Sequence, residues 1–210
     1  MLDVHAPHDR MHGWKDFLLH LLTITIGLLI ALGLEGFVEW QHHRHMVHEA
    51  ESAMSHEIAQ NQKTLASMNQ PIDDQQKELD ADLATLAQMR AQPNAQGKSL
   101  SFGFQTHSFD NVAWRTAQTS GVFAYMPYAN ASKFADIYGA QEGLVKAEQQ
   151  VVDDVITAAS LPSAQSSAWR PTAAQSDELT MRIGVLKMRL YLLQSMMNSL
   201  GNQYARFQTN

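Results

Sequence analysis

The sequence predicts an all-α fold in which one N-terminal transmembrane helix continues into a helical hairpin and a coiled-coil-like bundle. Three observations predict it. Residues 17–34 form an apolar run without a formal charge, which is typical of a membrane span. Beyond this run, apolar side chains recur at steps of three and four residues, the period of an amphipathic helix. The prolines that follow lie at the borders of these periodic stretches, where helices begin or end.

The apolar run is long enough to cross a bilayer. At ~1.5 Å per residue, residues 17–34 span about 27 Å, close to the ~30 Å hydrocarbon core. With the residues up to Trp40, the predicted transmembrane helix covers 17–40, and Trp14 and Trp40 then lie at the two headgroup levels. A cleaved signal peptide is the alternative, but its apolar region usually runs ~7–15 residues before a small-residue cleavage site. We therefore expect an uncleaved single-pass anchor.

The charges around the span predict its orientation. The tail at 1–16 carries Arg10, Lys15 and the α-amino group, whereas residues 41–60 carry Arg44 as their only Lys or Arg. The positive-inside rule then places the N-terminus in the cytoplasm and the body outside. In a bacterial cell with two membranes, this means an inner-membrane protein with a periplasmic body. Protonated histidines after the span would reduce the difference in charge.

A stripe of polar and small residues follows one side of the predicted span. Gly27 and Ala31 form a small-xxx-small pair, which lets two helix backbones approach closely in lipid. His20 is costly inside hydrocarbon unless it is paired or reaches the interface. We interpret the stripe as an oligomer seam, and the alternative is a lone helix whose His20 reaches water. The members of the stripe are His20, Thr23, Gly27, Ala31 and Glu35.

The body, predicted at 41–160, begins as a continuation of the membrane helix, because no glycine or proline occurs in 41–70. The outer half of this helix carries a heptad seam with one polar position. Its members are Met54, Ile58, Asn61, Leu65 and Met68. Pro71 then begins a second helix, at a position where its missing N–H costs little. A helical hairpin is the simplest arrangement of the two helices.

Turn signals divide the rest of the body. Residues 91–107 predict a loop with one short extended stretch. A short helix follows from about Phe109 and ends at Gly121, a residue suited to the left-handed position after a helix. Pro127 begins the next helix, which ends near Pro162.

A Ser/Ala/Pro-rich loop is predicted at 161–175, followed by a C-terminal helix at 176–210. This helix has the most regular pattern in the chain, with apolar residues at strictly alternating steps of four and three. They are Leu179, Ile183, Leu186, Leu190, Leu193, Met197, Leu200, Tyr204 and Phe207. The stripe packs either on the other helices of the same chain or on the same helix of a neighbour. We favour the first, because each of the other helices also has one apolar stripe to bury.

Composition and motifs exclude several kinds of chemistry. The 210 residues include no cysteine and have a net charge of −6, which excludes thiolate catalysis and argues against nucleic-acid binding. The pairs His48-Glu49 and His56-Glu57 lack the second histidine of a zinc-protease helix. No phosphate-binding loop, dinucleotide-binding motif or G-x-S-x-G motif occurs. We therefore expect neither enzymatic activity nor a cofactor.

A run of histidines after the span is the one unusual chemical feature. On a helix, His42, His45 and Glu49 lie on one face at steps of three and four residues. Such a set can ligate zinc, copper or nickel, with the shell completed by a symmetry-related chain. Alternatives are a pH response of the imidazoles, or side chains that simply lie among lipid headgroups.

Three segments resemble a bacterial group of uncharacterised single-pass membrane proteins. They are LLTITIGLLIALGLEGFVEWQHHRH, AWRTAQTSGVFAYMPY and FADIYGAQE, in which Trp114, Gly121, Tyr125 and Tyr138 occupy the matching positions. The resemblance implies an N-terminal span, a helical body and a helix–turn–helix that packs on the long stalk. It implies no activity. The alternative role for this region is a ligand-binding notch lined by Trp114, Tyr125, Tyr128 and Tyr138.

Together these observations predict a membrane-anchored interaction or scaffold protein. Its expected partners are membrane lipid and either further copies of itself or another membrane protein. The alternative is a periplasmic sensor or binding module that uses the histidine cluster or the aromatic notch.

Overall fold

The computed structural model describes residues 13–92, 99–163 and 170–208, and all regular structure within these ranges is helical. The elements are α1 (Gly13–Ser67), α2 (Asn69–Ala91), α3 (Val112–Ser120), a 3-10 turn (Val122–Ala124), α4 (Tyr128–Ser163) and α5 (Ala173–Gln208). The all-α prediction is confirmed. Most of the tail at 1–16 and part of the loop at 161–175 lie outside the described residues.

The chain divides into two compact units, Met1–His48 and Glu49–Asn210. In the first unit, the described residues belong to α1, and every side chain from 13 to 42 is exposed. The second unit contains the remainder of α1 and all the other helices. The two halves of α1 therefore have different surroundings.

The predicted hairpin between the first two helices does not form. Met68, which joins α1 to α2, keeps a right-handed helical backbone with φ −75° and ψ −22°, and its carbonyl accepts a hydrogen bond from the Ile72 N–H at 3.3 Å. α2 packs against α5 and does not fold back along α1. Pro71 lacks an N–H and so interrupts the hydrogen-bond ladder, but its φ is compatible with the first turn of a helix. The helix is therefore interrupted at this point, but the chain does not reverse its direction.

α5 runs antiparallel to both α2 and α4. Along the α2 edge, residue numbers rise in α2 as they fall in α5. The polar pairs that show this are Asp73 with Gln194, Asp80 with Lys187, and Arg90 with Asp177. On the α4 edge, the corresponding pairs are Arg189 with Asp154 and Arg182 with the Thr157 carbonyl. The α2-edge pairs are mostly exposed, whereas Arg182, Arg189 and Asp154 are half-buried. Exposed pairs contribute little to stability, so the α2-edge pairs define the register more than they stabilise the fold.

The heptad stripe of α5 is buried within a single chain. Eight of its residues are at most 2% exposed, namely Leu179, Ile183, Leu186, Leu190, Leu193, Met197, Leu200 and Tyr204. The facing stripe of α4 is buried as well and includes Phe134, Ile137, Leu144, Val151, Val155 and Ala158. The intramolecular alternative for the C-terminal helix is thus the one that the structure adopts.

Several helix ends follow local sequence signals. Gly121 has φ +75° directly after α3, as expected for the left-handed residue that ends a helix. Pro127 precedes α4, and its carbonyl accepts the N–H of Asn130 at 2.9 Å. α5 begins with a reciprocal cap that we did not predict: Gln175 N donates to Thr172 Oγ1 at 3.2 Å, and Thr172 N donates to Gln175 Oε1 at 2.9 Å.

Residues 99–111 cross the surface of the second unit without regular structure, and we call this segment the strap. The short extended stretch predicted near its start does not pair as a strand. The strap leads into α3 and brings polar backbone groups against α1 and α2. It is part of the polar cluster described below.

Candidate functional site: an exposed apolar helix and a buried polar cluster

The first candidate is the apolar part of α1 in the first unit. It is long and apolar enough to cross a membrane by length and composition, and its most apolar stretch is wholly exposed. Its large apolar side chains from Trp14 to Trp40 are between 43% and 73% exposed. The Thr23 and Thr25 hydroxyls donate to the Leu19 and Leu21 carbonyls, each at 2.8 Å. These two hydroxyls are thus satisfied inside the helix, as lipid surroundings require of polar groups.

Aromatic pairs lie at both ends of this segment. The rings of Trp14 and Phe17 are 5.7 Å apart, and those of Phe37 and Trp40 are 6.0 Å apart. The Arg44 guanidinium carbon lies 5.5 Å from the centre of the Trp40 ring, within the range of a cation–π contact. Indole rings combined with a cation are typical of the headgroup level of a bilayer.

The five residues of the predicted seam all lie on this exposed helix. His20, Thr23, Gly27, Ala31 and Glu35 follow each other at steps of three or four residues, which places them along one side of α1. A Cβ atom added at Gly27 would meet nothing within 4 Å. The single chain therefore leaves this side of the helix open, and its pairing with another helix stays a prediction.

The three predicted metal ligands all lie on α1. His42 and His45 belong to the first unit and Glu49 to the second, and all three are exposed. Among the described residues, no group of three or more His, Asp or Glu side chains is arranged to hold a metal ion. The His42 ring is instead 6.1 Å from that of His43. A shell completed by a second chain stays a prediction.

The second candidate is a buried polar cluster inside the helical body. It consists of Glu57, Asn61, Tyr138, Gln141 and Tyr204, which are between 0% and 8% exposed. The Glu57 carboxylate accepts the Tyr138 hydroxyl at 2.6 Å on one oxygen and the Ala113 N–H at 2.8 Å on the other. A buried charge is tolerated when hydrogen bonds replace its water shell. Glu57 thereby joins α1 to the start of α3 and to α4.

A chain of amide hydrogen bonds forms the other half of the cluster. Asn61 accepts the Asp110 N–H at 2.8 Å and donates to the Asp110 carbonyl at 2.7 Å. The same amide lies 3.3 Å from Gln141 Oε1, and Gln141 in turn donates to the Tyr204 hydroxyl at 2.9 Å. The strap, α1, α4 and α5 are therefore connected through one continuous set of partners.

Burial keeps the two phenols of the cluster neutral. It raises the pKa of Tyr138, and the hydrogen bond to Glu57 adds to this rise. It also raises the pKa of Tyr204, although the Gln141 amide acts in the opposite direction. Each of the five side chains has a partner, and the two phenols do not titrate in the neutral range. The arrangement therefore positions the strap, α1, α3, α4 and α5 relative to one another.

The predicted aromatic notch separates into a packed half and an exposed half. Trp114 stacks on Tyr138 with ring centres 4.9 Å apart and an interplanar angle of 14°, and it also contacts Phe123 at 5.1 Å. Tyr125 and Tyr128 are 51% and 86% exposed. Trp114 and Tyr138 are thus brought together as a packing element, and the Tyr138 hydroxyl reaches α1 as the helix–turn–helix prediction implied.

Two further buried carboxylates hold the strap. Asp82 on α2 accepts the Ser101 N–H at 3.1 Å, and Glu148 on α4 lies 3.4 Å from His107 Nδ1. Burial raises the pKa of both carboxyls, opposed by the Ser101 N–H at Asp82 and by His107 at Glu148. Neither pair is among the sequence predictions. Their only signal was a polar residue within an apolar stripe, which does not reveal the partner.

Compared with known protein families, with curated proteins and with solved structures, the chain matches none. The resemblance to the bacterial group of single-pass membrane proteins therefore stays a prediction.

Proposed function

We propose that this protein is a single-pass, membrane-anchored helical interaction protein of the scaffold type. The observation that supports this most strongly is the exposed apolar segment of α1. Burying ten of its side chains at ~1.5–3 kcal/mol each is worth about 15–30 kcal/mol. That exceeds the ~5–15 kcal/mol stability of a whole domain, so the segment needs an apolar environment.

The distribution of these side chains favours lipid over a partner helix. Exposed apolar residues occur at consecutive positions such as Phe17, Leu18 and Leu19, and again at Leu28, Leu29 and Ile30. Consecutive residues point about 100° apart, so the helix is apolar on all sides. A coiled-coil partner needs only one stripe. Surrounding hydrocarbon is the environment that covers the whole circumference.

The proposed location is the bacterial inner membrane, with the N-terminus in the cytoplasm and the body in the periplasm. Its support is the positive charge of the tail before the span compared with residues 41–60. The proposed role of the body is to present its helical surfaces to other proteins, because the buried cluster is saturated by its own partners. Neither a cofactor nor catalysis is part of the proposal.

Membrane retention of the full-length chain tests the anchor. The wild-type protein is expected to stay in the membrane pellet after alkaline carbonate extraction. The double substitution Ile24→Arg with Leu28→Arg places two charges near the centre of the segment, each costing ~2.5–3.5 kcal/mol, and should release the chain. The control is Ile24→Ala with Leu28→Ala, which keeps the segment uncharged. Extraction of the wild type, or retention of the arginine variant, would contradict the proposal.

Labelling of single cysteines tests the orientation, since the chain has no cysteine of its own. Gln118→Cys is on an exposed face of α3, and Asp16→Cys lies at the start of α1. In spheroplasts, a membrane-impermeant maleimide should label Gln118→Cys directly and Asp16→Cys only after lysis. The reverse pattern would place the body in the cytoplasm.

A further inference from the structure

α5 carries a second apolar stripe on the face that points away from the core. Its members are Met181, Val185, Met188 and Leu192, which are 65%, 48%, 59% and 52% exposed. They follow each other at steps of four, three and four residues, and at ~100° per residue they lie about half a turn from the buried stripe. We call this surface the outer face of α5. A helix packed on one side has no need of a second apolar stripe.

The edges of the outer face have different chemistry. One edge carries Asp177, Gly184 and Tyr191, and the other carries Arg182, Arg189 and Met196. In heptad terms the stripe residues occupy d and a positions, the first edge occupies g, and the second edge occupies e. In a parallel coiled coil, a g residue meets the e residue five positions later in the partner helix. The two edges can therefore be compared pair by pair.

Two of the three pairs are favourable, and the third is free of a steric clash. Asp177 meets Arg182 of the other helix, so opposite charges face each other. Tyr191 meets Met196, a favourable contact between an aromatic ring and a thioether. Gly184 meets Arg189, and a Cβ added at Gly184 would contact nothing within 4 Å, so the long arginine has room. The edges of α5 are thus complementary to themselves in parallel register.

Contacts inside the chain hold the two arginines at the edge. Arg189 is bound by Asp154 and by Gln150 at 2.8 Å, and Arg182 is bound by Glu178 and the Thr157 carbonyl. Asp177 is bound by Arg90 at 2.6 Å, with both side chains at least 60% exposed. The two arginines are therefore held in place before association, which reduces the entropy cost of binding.

We propose that the outer face of α5 binds the same face of a second copy of this chain, parallel and in register. With Tyr191 and Met196, the face exposes on the order of 500 Å² in one copy, and a pair would bury about 1,000 Å², the lower limit for a specific interface. Two heptads form only a weak contact by themselves. The proposal rests on the proposed function in this respect, because a shared membrane supplies the effective concentration that a weak contact needs.

Single cysteines at the two ends of the stripe test the pairing and its direction. In full-length protein in membranes, Met181→Cys and Leu192→Cys should each form a disulfide-linked dimer with its own kind on mild oxidation. Ile156→Cys is the matched control, because Ile156 is apolar and 62% exposed on α4. An antiparallel pair would instead link Met181→Cys chains only to Leu192→Cys chains. That result, dimers equally abundant for Ile156→Cys, or no dimer would overturn the proposal.

A charge substitution tests the complementary edges. Asp177→Arg places like charges opposite each other and should lower the yield of Leu192→Cys dimers several-fold. Asp136→Arg on α4 makes the same charge change at an exposed position outside the face and should leave the yield unchanged. An equal effect of both substitutions would contradict edge pairing.

Carbonate extraction of the same samples distinguishes failure of the pairing from failure of the proposed membrane anchor. Chains that stay in the membrane without crosslinking would overturn the pairing and leave the anchor in place. Chains that crosslink but are extracted would overturn the anchor and leave the pairing in place. Crosslinking of the outer face to a different protein would replace the second copy by another occupant and overturn the proposal.

Discussion

The two halves of α1 share one helical geometry but differ completely in burial. In the first unit, residues 17–40 are apolar on all sides and exposed. In the second unit, residues 49–67 are apolar along one stripe, and Met54, Ile58 and Leu65 on that stripe are at most 6% exposed. The difference teaches that the angular distribution of apolar residues decides the environment of a helix, because a stripe can be buried by neighbouring helices and a full circumference cannot.

Core truncation should give the largest effect and separates the two kinds of apolar residue. Leu186 on α5 is fully buried, so Leu186→Ala should lower the free energy of unfolding of the body by about 2–5 kcal/mol. Leu28→Ala removes the same atoms from the exposed half of α1 and should leave this free energy unchanged. Urea titration in detergent, followed by circular dichroism, measures both. Equal losses would contradict the distinction between the halves.

The buried polar cluster should contribute less than the core but more than any exposed hydrogen bond. Tyr138→Phe removes the hydroxyl that donates to Glu57 and leaves a buried carboxylate oxygen without this donor. We expect a loss of about 1–3 kcal/mol in the free energy of unfolding. Tyr128→Phe, at an 86% exposed position, is the control and should change nothing. If Tyr138→Phe left the free energy of unfolding unchanged, the cluster would not stabilise the fold.

A pH series should resolve the smaller contribution of Glu148. Burial raises the pKa of the Glu148 carboxyl above its ordinary value of 4.5, and His107, the titratable group that faces it, opposes the rise. The folded state then binds the proton more tightly, so the contribution of this group to stability falls as the pH rises above 4.5. Glutamine at position 148 does not ionise, so the Glu148→Gln variant does not lose this stability as the pH rises. The stability of the variant relative to wild type should increase from pH 4.5 to pH 7, and a constant difference would contradict the shift.

Divalent metal should have the smallest effect. Because no group of three or more His, Asp or Glu side chains among the described residues is arranged to hold a metal ion, the midpoint of unfolding is expected to stay the same with and without Zn²⁺ or Ni²⁺. A true site would stabilise the fold by about 2.7 kcal/mol at a metal concentration 100 times its Kd. If metal raised the midpoint of unfolding and this rise disappeared when His42, His45 and Glu49 were all replaced by alanine, the result would support a metal site and contradict this prediction.

Local patterns predicted most of the helices but not how two of them are joined. The 4-3 steps of α5, Gly121 after α3 and Pro127 before α4 all have the expected structural role. Pro71 did not turn the chain, because proline in a first turn only interrupts the ladder. The cap at Thr172 has a local signal as well, because residues 172–175 match the T-x-x-Q pattern of a capping box.

The partners of polar residues depended on contacts that no local pattern contains. Asn61 was recognised as the polar position of a heptad seam, but its bonds go to Asp110 and Gln141. The predicted notch combines Trp114 and Tyr138 with Tyr125 and Tyr128, yet the first two stack on each other whereas the other two are more than half exposed. These contacts could be predicted only by knowing which residues of different helices lie side by side in the folded body.

The sequence by itself determined the helical class, the apolar segment at 17–40 and the inward face of α5, because hydrophobic periodicity is a property of neighbouring residues. Only the tertiary structure decided that α5 buries its stripe within the chain, that Glu57 is bonded by a tyrosine 81 residues away, and that a second apolar face of α5 stays exposed. The physical reason is that a hydrophobic stripe accepts any apolar neighbour, whereas a hydrogen bond requires one specific atom at one distance.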